Sequence, residues 1–134
     1  MAELFLARQH STLAADHLFV VKLILPVFAE RSDFSDMLVA EAKLAAALQH
    51  ANIVTVWELG REDGRLFIVM DYVDGHTLKH AVLTGGQFAV RRAVDVIEQS
   101  AAGVATAAAQ GVIHRDIKPQ NLLLSVNCVV KLTD

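Results

Sequence analysis

Cysteine is nearly absent from the chain. Cys128 stands alone among 134 residues, which excludes an internal disulfide and a cysteine-based zinc site. A reducing, cytoplasmic compartment is the expectation. Long hydrophobic runs are missing too. The most apolar stretch, "HLFVVKLILPVFAE", is interrupted by Lys22 and Pro26, well short of the roughly 18 residues that a spanning helix needs. The N-terminal "MAELFLAR" carries Glu3 and is too short for a signal sequence. Nor is there an excess of positive charge: 12 Lys and Arg face 15 Asp and Glu, a net charge of -3. Without a broad basic field, a nucleic-acid partner has no electrostatic support. No internal repeat, linker or low-complexity segment occurs.

What is present reads as a globular domain. The apolar fraction of 54% and charged fraction of 20% are far from a disordered composition. A chain of this length can bury roughly two thirds of its unfolded surface. "HLFVVKLIL", His17 to Leu25, reads as a buried strand with Lys22 in its middle. From about Ser35 to Gln49, Phe34, Met37, Leu38, Ala42, Ala45 and Leu48 recur at helical spacing, and Glu41 falls on that same face. "NIVTVWELG" and "GRLFIVMDYV" read as two strands joined through "GREDG". Phe88 to about Gln110 has the longest helical period, with Val90, Ala93, Val94, Ile97, Ala101, Val104, Ala105 and Ala108 on one face and Gly111 as the stop. "NLLLS" and "VVKLTD" close the chain as two short strands. This order excludes a simple alternating βαβ sheet. It predicts an α+β fold, a small antiparallel sheet with one helix followed by a helical part.

Between the long helix and the last strands lies "GVIHRDIKPQNLLL". Its polar residues suit one chemistry. Transfer of a phosphoryl group needs positioned cations, a residue to orient the nucleophile, and oxygen ligands for a hard metal ion. Asp116 could accept or orient a hydroxyl proton, Lys118 could neutralise charge on the phosphoryl group, and Asn121 could offer an amide oxygen to a metal.

These residues resemble the H-R-D-x-x-x-x-N signature of the protein kinases. With Lys118 counted, five fixed letters would coincide by chance in about one window in three million. Other segments resemble the same family in the same order. "FVVK" is similar to its third strand, which makes Lys22 the residue holding the α- and β-phosphates of ATP. Glu41 matches the helix glutamate that pairs with this lysine. Burial favours the pair as well, since a glutamate on an apolar helix face and a lysine inside an apolar strand each need a counter-charge. "LFIVMDYVDGHTL" resembles the hinge between the kinase lobes. By that resemblance Met70 lies beside the adenine, the backbone of Asp71 and Val73 hydrogen-bonds its edge, and Val20 and Leu123 sandwich the ring. Asp134 falls where the family has its magnesium-chelating aspartate, so Asn121 and Asp134 would flank Mg2+. Lys118 is the pattern of serine/threonine rather than tyrosine kinases, Arg115 marks the type whose activation loop is phosphorylated, and "MAELFLAR" and "AEAKLAAALQHANIV" have a bacterial flavour.

The resemblance implies an incomplete protein-kinase-like fold, with residues 1–72 as an N-lobe lacking its glycine-rich loop and residues 73–134 as the start of a C-lobe. It implies an ATP- and Mg2+-dependent serine/threonine kinase acting on protein substrates. The activation segment and the peptide platform lie beyond the resemblance, so the expectation for this piece by itself is little or no activity, together with association through a truncated apolar edge. Two other readings stand beside it: a catalytically silent nucleotide- or protein-binding module, and a small-molecule phosphotransferase. Two positions depart from the family pattern. Ala51 replaces a proline, and Cys128 replaces a glycine at the last turn, at some backbone cost if its φ is positive.

Overall fold

The computed structural model describes residues 2–10, 16–25 and 32–134, except for the side chains of residues 32–38 and 41. The chain divides into two compact units, residues 1–47 with 55–72, and residues 48–54 with 73–134.

The first unit is built on a four-stranded antiparallel sheet: β1 (Ala2–Gln9), β2 (His17–Ile24), β3 (Val56–Glu62) and β4 (Arg65–Asp71), in the order β1-β2-β4-β3. Helix α1 (Ser32–Ala47) packs beside β3. Apolar, β-branched residues dominate β2 and β4, as a strand paired on both edges requires. Register sets what shares a face. Lys22 pairs with Leu4 and Ile68, and Val20 pairs with Leu6 and Met70, so these side chains lie on one face. Phe5, Phe19, Val21, Leu23, Phe67, Val69 and Asp71 take the other.

The β3–β4 hairpin is tighter than the "GREDG" bracket suggests. Its turn is Asp63–Gly64, with φ of 49° and 76°, the two-residue turn whose twist matches the strands. Gly60 instead lies inside β3. A Cβ placed there would fall 2.1 Å from the Phe67 ring, which covers the glycine. Trp57 occupies a bulge, since Val56 opposes Met70 and Glu58 opposes Val69, leaving one extra residue on β3.

The second unit holds a three-stranded antiparallel sheet, β5 (Gly75–Thr77), β6 (Leu122–Ser125) and β7 (Val130–Leu132), in that order, with helices α2 (Leu78–Gly85) and α3 (Val90–Ala109). Neither β5 nor α2 was expected from the sequence. The Thr77 hydroxyl accepts the His80 amide at 3.1 Å and so starts α2. At the end of α3, the Val112 amide bonds the Ala107 carbonyl (2.9 Å) and the Gly111 amide bonds that of Ala108 (3.0 Å), with Gly111 at φ 78°. That is the Schellman arrangement, and Val112 packs on Leu48, Ile53 and Ala107 as its apolar contact. A second cluster joins Val96, Leu122, Val130 and Leu132.

Two expectations are corrected. Asn52–Thr55 is not strand, because Asn52 is committed elsewhere. Its side-chain amide donates to the Val130 carbonyl (2.9 Å) and to Gln99 Oε1 (3.0 Å), and its carbonyl accepts the Leu132 amide (2.9 Å). The buried stripe of α3 is also not the large apolar one. Val96, Ser100, Gly103 and Ala107 are buried, whereas Val90, Val94 and Ile97 are exposed. Small residues let the helix approach closely: a Cβ on Gly103 would sit 2.7 Å from the Asn52 carbonyl oxygen. Among the described residues no helix is long and apolar enough to cross a membrane.

Candidate functional site

The loop from Gly111 to Asn121 is shaped by its own polar groups. Arg115 has a φ of 62°, a left-handed conformation uncommon outside glycine. This turn brings the Asp116 amide back to His114 Nδ1 at 3.3 Å. Since Nδ1 accepts there, the ring proton belongs on Nε2, which lies 3.2 Å from the Thr133 carbonyl and donates to it. The Thr133 amide in turn donates to the Asn121 carbonyl at 3.0 Å. One residue after β7 therefore ties both ends of the loop.

Within that frame three of the expected residues meet. Lys118 Nζ lies 2.6 Å from Asp116 Oδ2. The Asn121 side-chain amide donates to the Asp116 carbonyl and to Asp116 Oδ2, each at 3.0 Å. The charge-assisted bond from Lys118 holds the Asp116 carboxyl below its ordinary range, opposed by desolvation and helped by the hydrogen bond from Asn121. Asp116 and Lys118 are solvent-accessible, while Asn121 is only 7% exposed. Proline at the first position of the short 3-10 turn Pro119–Asn121 pre-sets the bend that returns Asn121 to Asp116.

This donor set suits a hard cation. Asn121 turns its amide nitrogen to Asp116, which directs the amide oxygen away from that carboxylate. Magnesium keeps several waters and takes only one or two protein oxygens beside phosphate, so Asn121 with a carboxylate fits. Among the described residues no cluster of three His, Cys, Asp or Glu gathers around a metal position. Asp134 follows Thr133 directly, with a φ of 61°.

The other expected residues fall as follows. Lys22, Val20 and Met70 share one sheet face, and Val20 and Met70 are direct cross-strand partners. Asp71 ends β4, and its amide donates to the Thr55 carbonyl at 3.0 Å. Val73 lies in the second unit, before β5, and Leu123 lies in β6 opposite Thr77 and Lys131. Glu41 belongs to α1, but its side chain lies outside the described residues, and with it the expected pair to Lys22.

The family model of the protein kinase domain matches residues 6–134. The chain belongs to the protein kinase family. Similar kinases include serine/threonine-protein kinase PrkC of Bacillus subtilis, 34% identical over 134 residues, covering 100% of this chain and 20% of that protein. Serine/threonine-protein kinase PknB of Mycolicibacterium smegmatis is 38% identical over 138 residues, covering 100% of this chain and 22% of the relative. Probable serine/threonine-protein kinase pknA2 of Bifidobacterium longum is 38% identical over 104 residues, covering 78% of this chain and 14% of the relative. This kinase chain thus spans about a fifth of the length of such relatives.

Sequence reasoning missed several residues that shape the candidate site and its surroundings. Asn52 and Gln99 brace β7: Gln99 Oε1 accepts the Val130 amide at 2.8 Å, and its Nε2 donates to the Cys128 carbonyl at 3.1 Å. The available signal was a polar residue, Asn52, at the head of an apolar run. Thr133 carried no signal, because its role rests on backbone atoms. The turn at Cys128 does adopt a positive φ, 65°.

Proposed function

We propose that this chain is part of a bacterial-type serine/threonine protein kinase that transfers the γ-phosphoryl group of ATP to hydroxyls of protein substrates. Residues 1–72 serve as its N-lobe and residues 73–134 as the start of its C-lobe. The observation that carries this reading is the joining of Asp116, Lys118 and Asn121 by bonds of 2.6 and 3.0 Å in one loop.

Each group has a task there. Asp116, kept ionised by Lys118, orients the substrate hydroxyl and accepts its proton. Lys118 offers positive charge towards the transferring phosphoryl group, and it can serve both anions because its ammonium has three donors. Asn121 fixes the carboxylate with its amide nitrogen and presents its oxygen to the metal. Lys22 holds the α- and β-phosphates, with Glu41 as its counter-charge. Val20, Met70 and Leu123 contact the adenine ring, and the backbone of Asp71 and Val73 its edge. Protein kinases as a family use ATP with Mg2+. Asn121 and Asp134 would hold Mg2+ here, and the ion supplies charge neutralisation at the phosphates. The setting is cytoplasmic, and the partner is a protein substrate.

The test is transfer of labelled γ-phosphate to serine or threonine by the chain extended to a complete kinase domain and by its Asp116→Asn variant. Transfer that survives unchanged in the variant removes Asp116 from its role. ATP binding without transfer by either protein favours the silent binding module instead.

A further inference from the structure

Trp57 is the single tryptophan of the chain, and it is 60% exposed. Its contribution to a core is therefore small, yet its polar atom is engaged. Trp57 Nε1 donates to Asp71 Oδ1 at 2.7 Å, and His17 Nε2 approaches the same oxygen at 3.4 Å. The three aromatic rings of His17, Phe19 and Trp57 lie against one another, with centroids 4.4 to 6.2 Å apart. The bulge in β3 is what makes room for this. Without the extra residue, alternation along β3 would place Trp57 differently relative to Asp71.

We propose that Trp57 is a positioning residue for adenine recognition, acting through Asp71. The inference rests on the reading of Asp71 as the residue whose backbone meets the adenine edge. The carboxylate is held on the sheet face opposite Lys22, Val20 and Met70, so it cannot swing towards the nucleotide face. Meanwhile the Asp71 amide is fixed to Thr55 and the Tyr72 amide to Leu18. With side chain and main chain both fixed, the carbonyl of Asp71 keeps one direction. An oriented carbonyl accepts from the exocyclic amine of adenine and rejects the guanine oxygen at the equivalent place. Trp57 thereby favours adenine over guanine nucleotides, with His17 as the weaker second donor because its bond is at the long limit.

The test measures the affinity of the chain and its Trp57→Phe and His17→Gln variants for ADP and for GDP, alongside the unfolding midpoint and hydrogen exchange at the Asp71 amide. Phenylalanine keeps an aromatic ring beside His17 and Phe19 and removes the indole donor. The expected result is ADP binding weakened roughly five- to tenfold in Trp57→Phe, from loss of one charge-assisted bond. GDP binding and the unfolding midpoint should stay unchanged, exchange at Asp71 should quicken, and His17→Gln should give a smaller change of the same kind. Equal ADP binding by the wild type and Trp57→Phe overturns the proposal and leaves the kinase reading intact. So does a parallel loss of ADP and GDP binding with a lowered unfolding midpoint, which marks a merely structural role. A wild-type chain that binds no ADP overturns both.

Discussion

The two units hold their candidate site residues by different means. In the first, Lys22, Val20 and Met70 are placed by strand register, and each would keep its face through any change that leaves the pairing intact. In the second, Asp116, Lys118 and Asn121 are placed by side-chain hydrogen bonds closed over a loop, on top of two buried clusters. Register is robust to single substitutions, because it is shared by many backbone bonds and a whole apolar face. A loop network is not, since each member satisfies a particular partner.

The comparison makes ordered predictions. The largest effect is expected at Asp116: in the chain extended to a complete kinase domain, Asp116→Asn should lower phosphoryl transfer by roughly 10²- to 10⁴-fold, the usual range for a proton-accepting group, while nucleotide binding persists. Next comes the brace of β7. Asn52→Ala removes both side-chain donor bonds, to Val130 and Gln99, and should destabilise the second unit by about 1–3 kcal/mol. Hydrogen exchange would then quicken at β6 and β7 but not at β2 and β4. Equal quickening in both units would mean that the two are not held by different means.

Two glycines sharpen it further. Gly103→Ala forces a Cβ against the Asn52 backbone oxygen at 2.7 Å, whereas Gly60→Ala meets the Phe67 ring, which can rotate away. Gly103→Ala should therefore cost about 1–3 kcal/mol and Gly60→Ala clearly less, as measured by denaturant midpoints. The smallest effect is electrostatic. Asp116 has its carboxyl lowered from the ordinary 3.8, chiefly by Lys118. Its stabilising contribution is present above that value and is lost as pH falls through the lower folded-state value. A carboxyl-carbon NMR titration should show the depressed midpoint, and Lys118→Met should return it upward.

Much of this was legible in the sequence, for identifiable reasons. The strand at His17 and the helix ending at Gly111 follow from period, β-branched content and a helix stop, all of which are local. The loop was legible because its residues are specific in type and spacing, and their resemblance to a kinase loop is matched by the family assignment. What was not legible depends on distant partners. Asn52 sits in a run with strand composition, but its partners Val130 and Gln99 lie 78 and 47 residues away. The α3 face was misjudged because Val90, Val94 and Ile97 have the stronger apolar signal, whereas closeness to the Asn52 backbone selects Gly103 and its small neighbours. The turn at Asp63–Gly64 was placed too broadly, since Gly60 looks like turn chemistry until the Phe67 ring is known to cover it.

The double tie made by Thr133 also sets an order of events. His114 waits for a carbonyl 19 residues further along the chain, and the strand leading to that carbonyl is itself pinned by Asn52, which was synthesised long before. Contacts of such sequence separation form slowly, because the intervening chain must first surrender its freedom. The helices and the hairpin can form early from neighbours alone. The candidate loop takes its arrangement from β7 through Thr133, and so depends on distant contacts that the hairpin and the helices do not need.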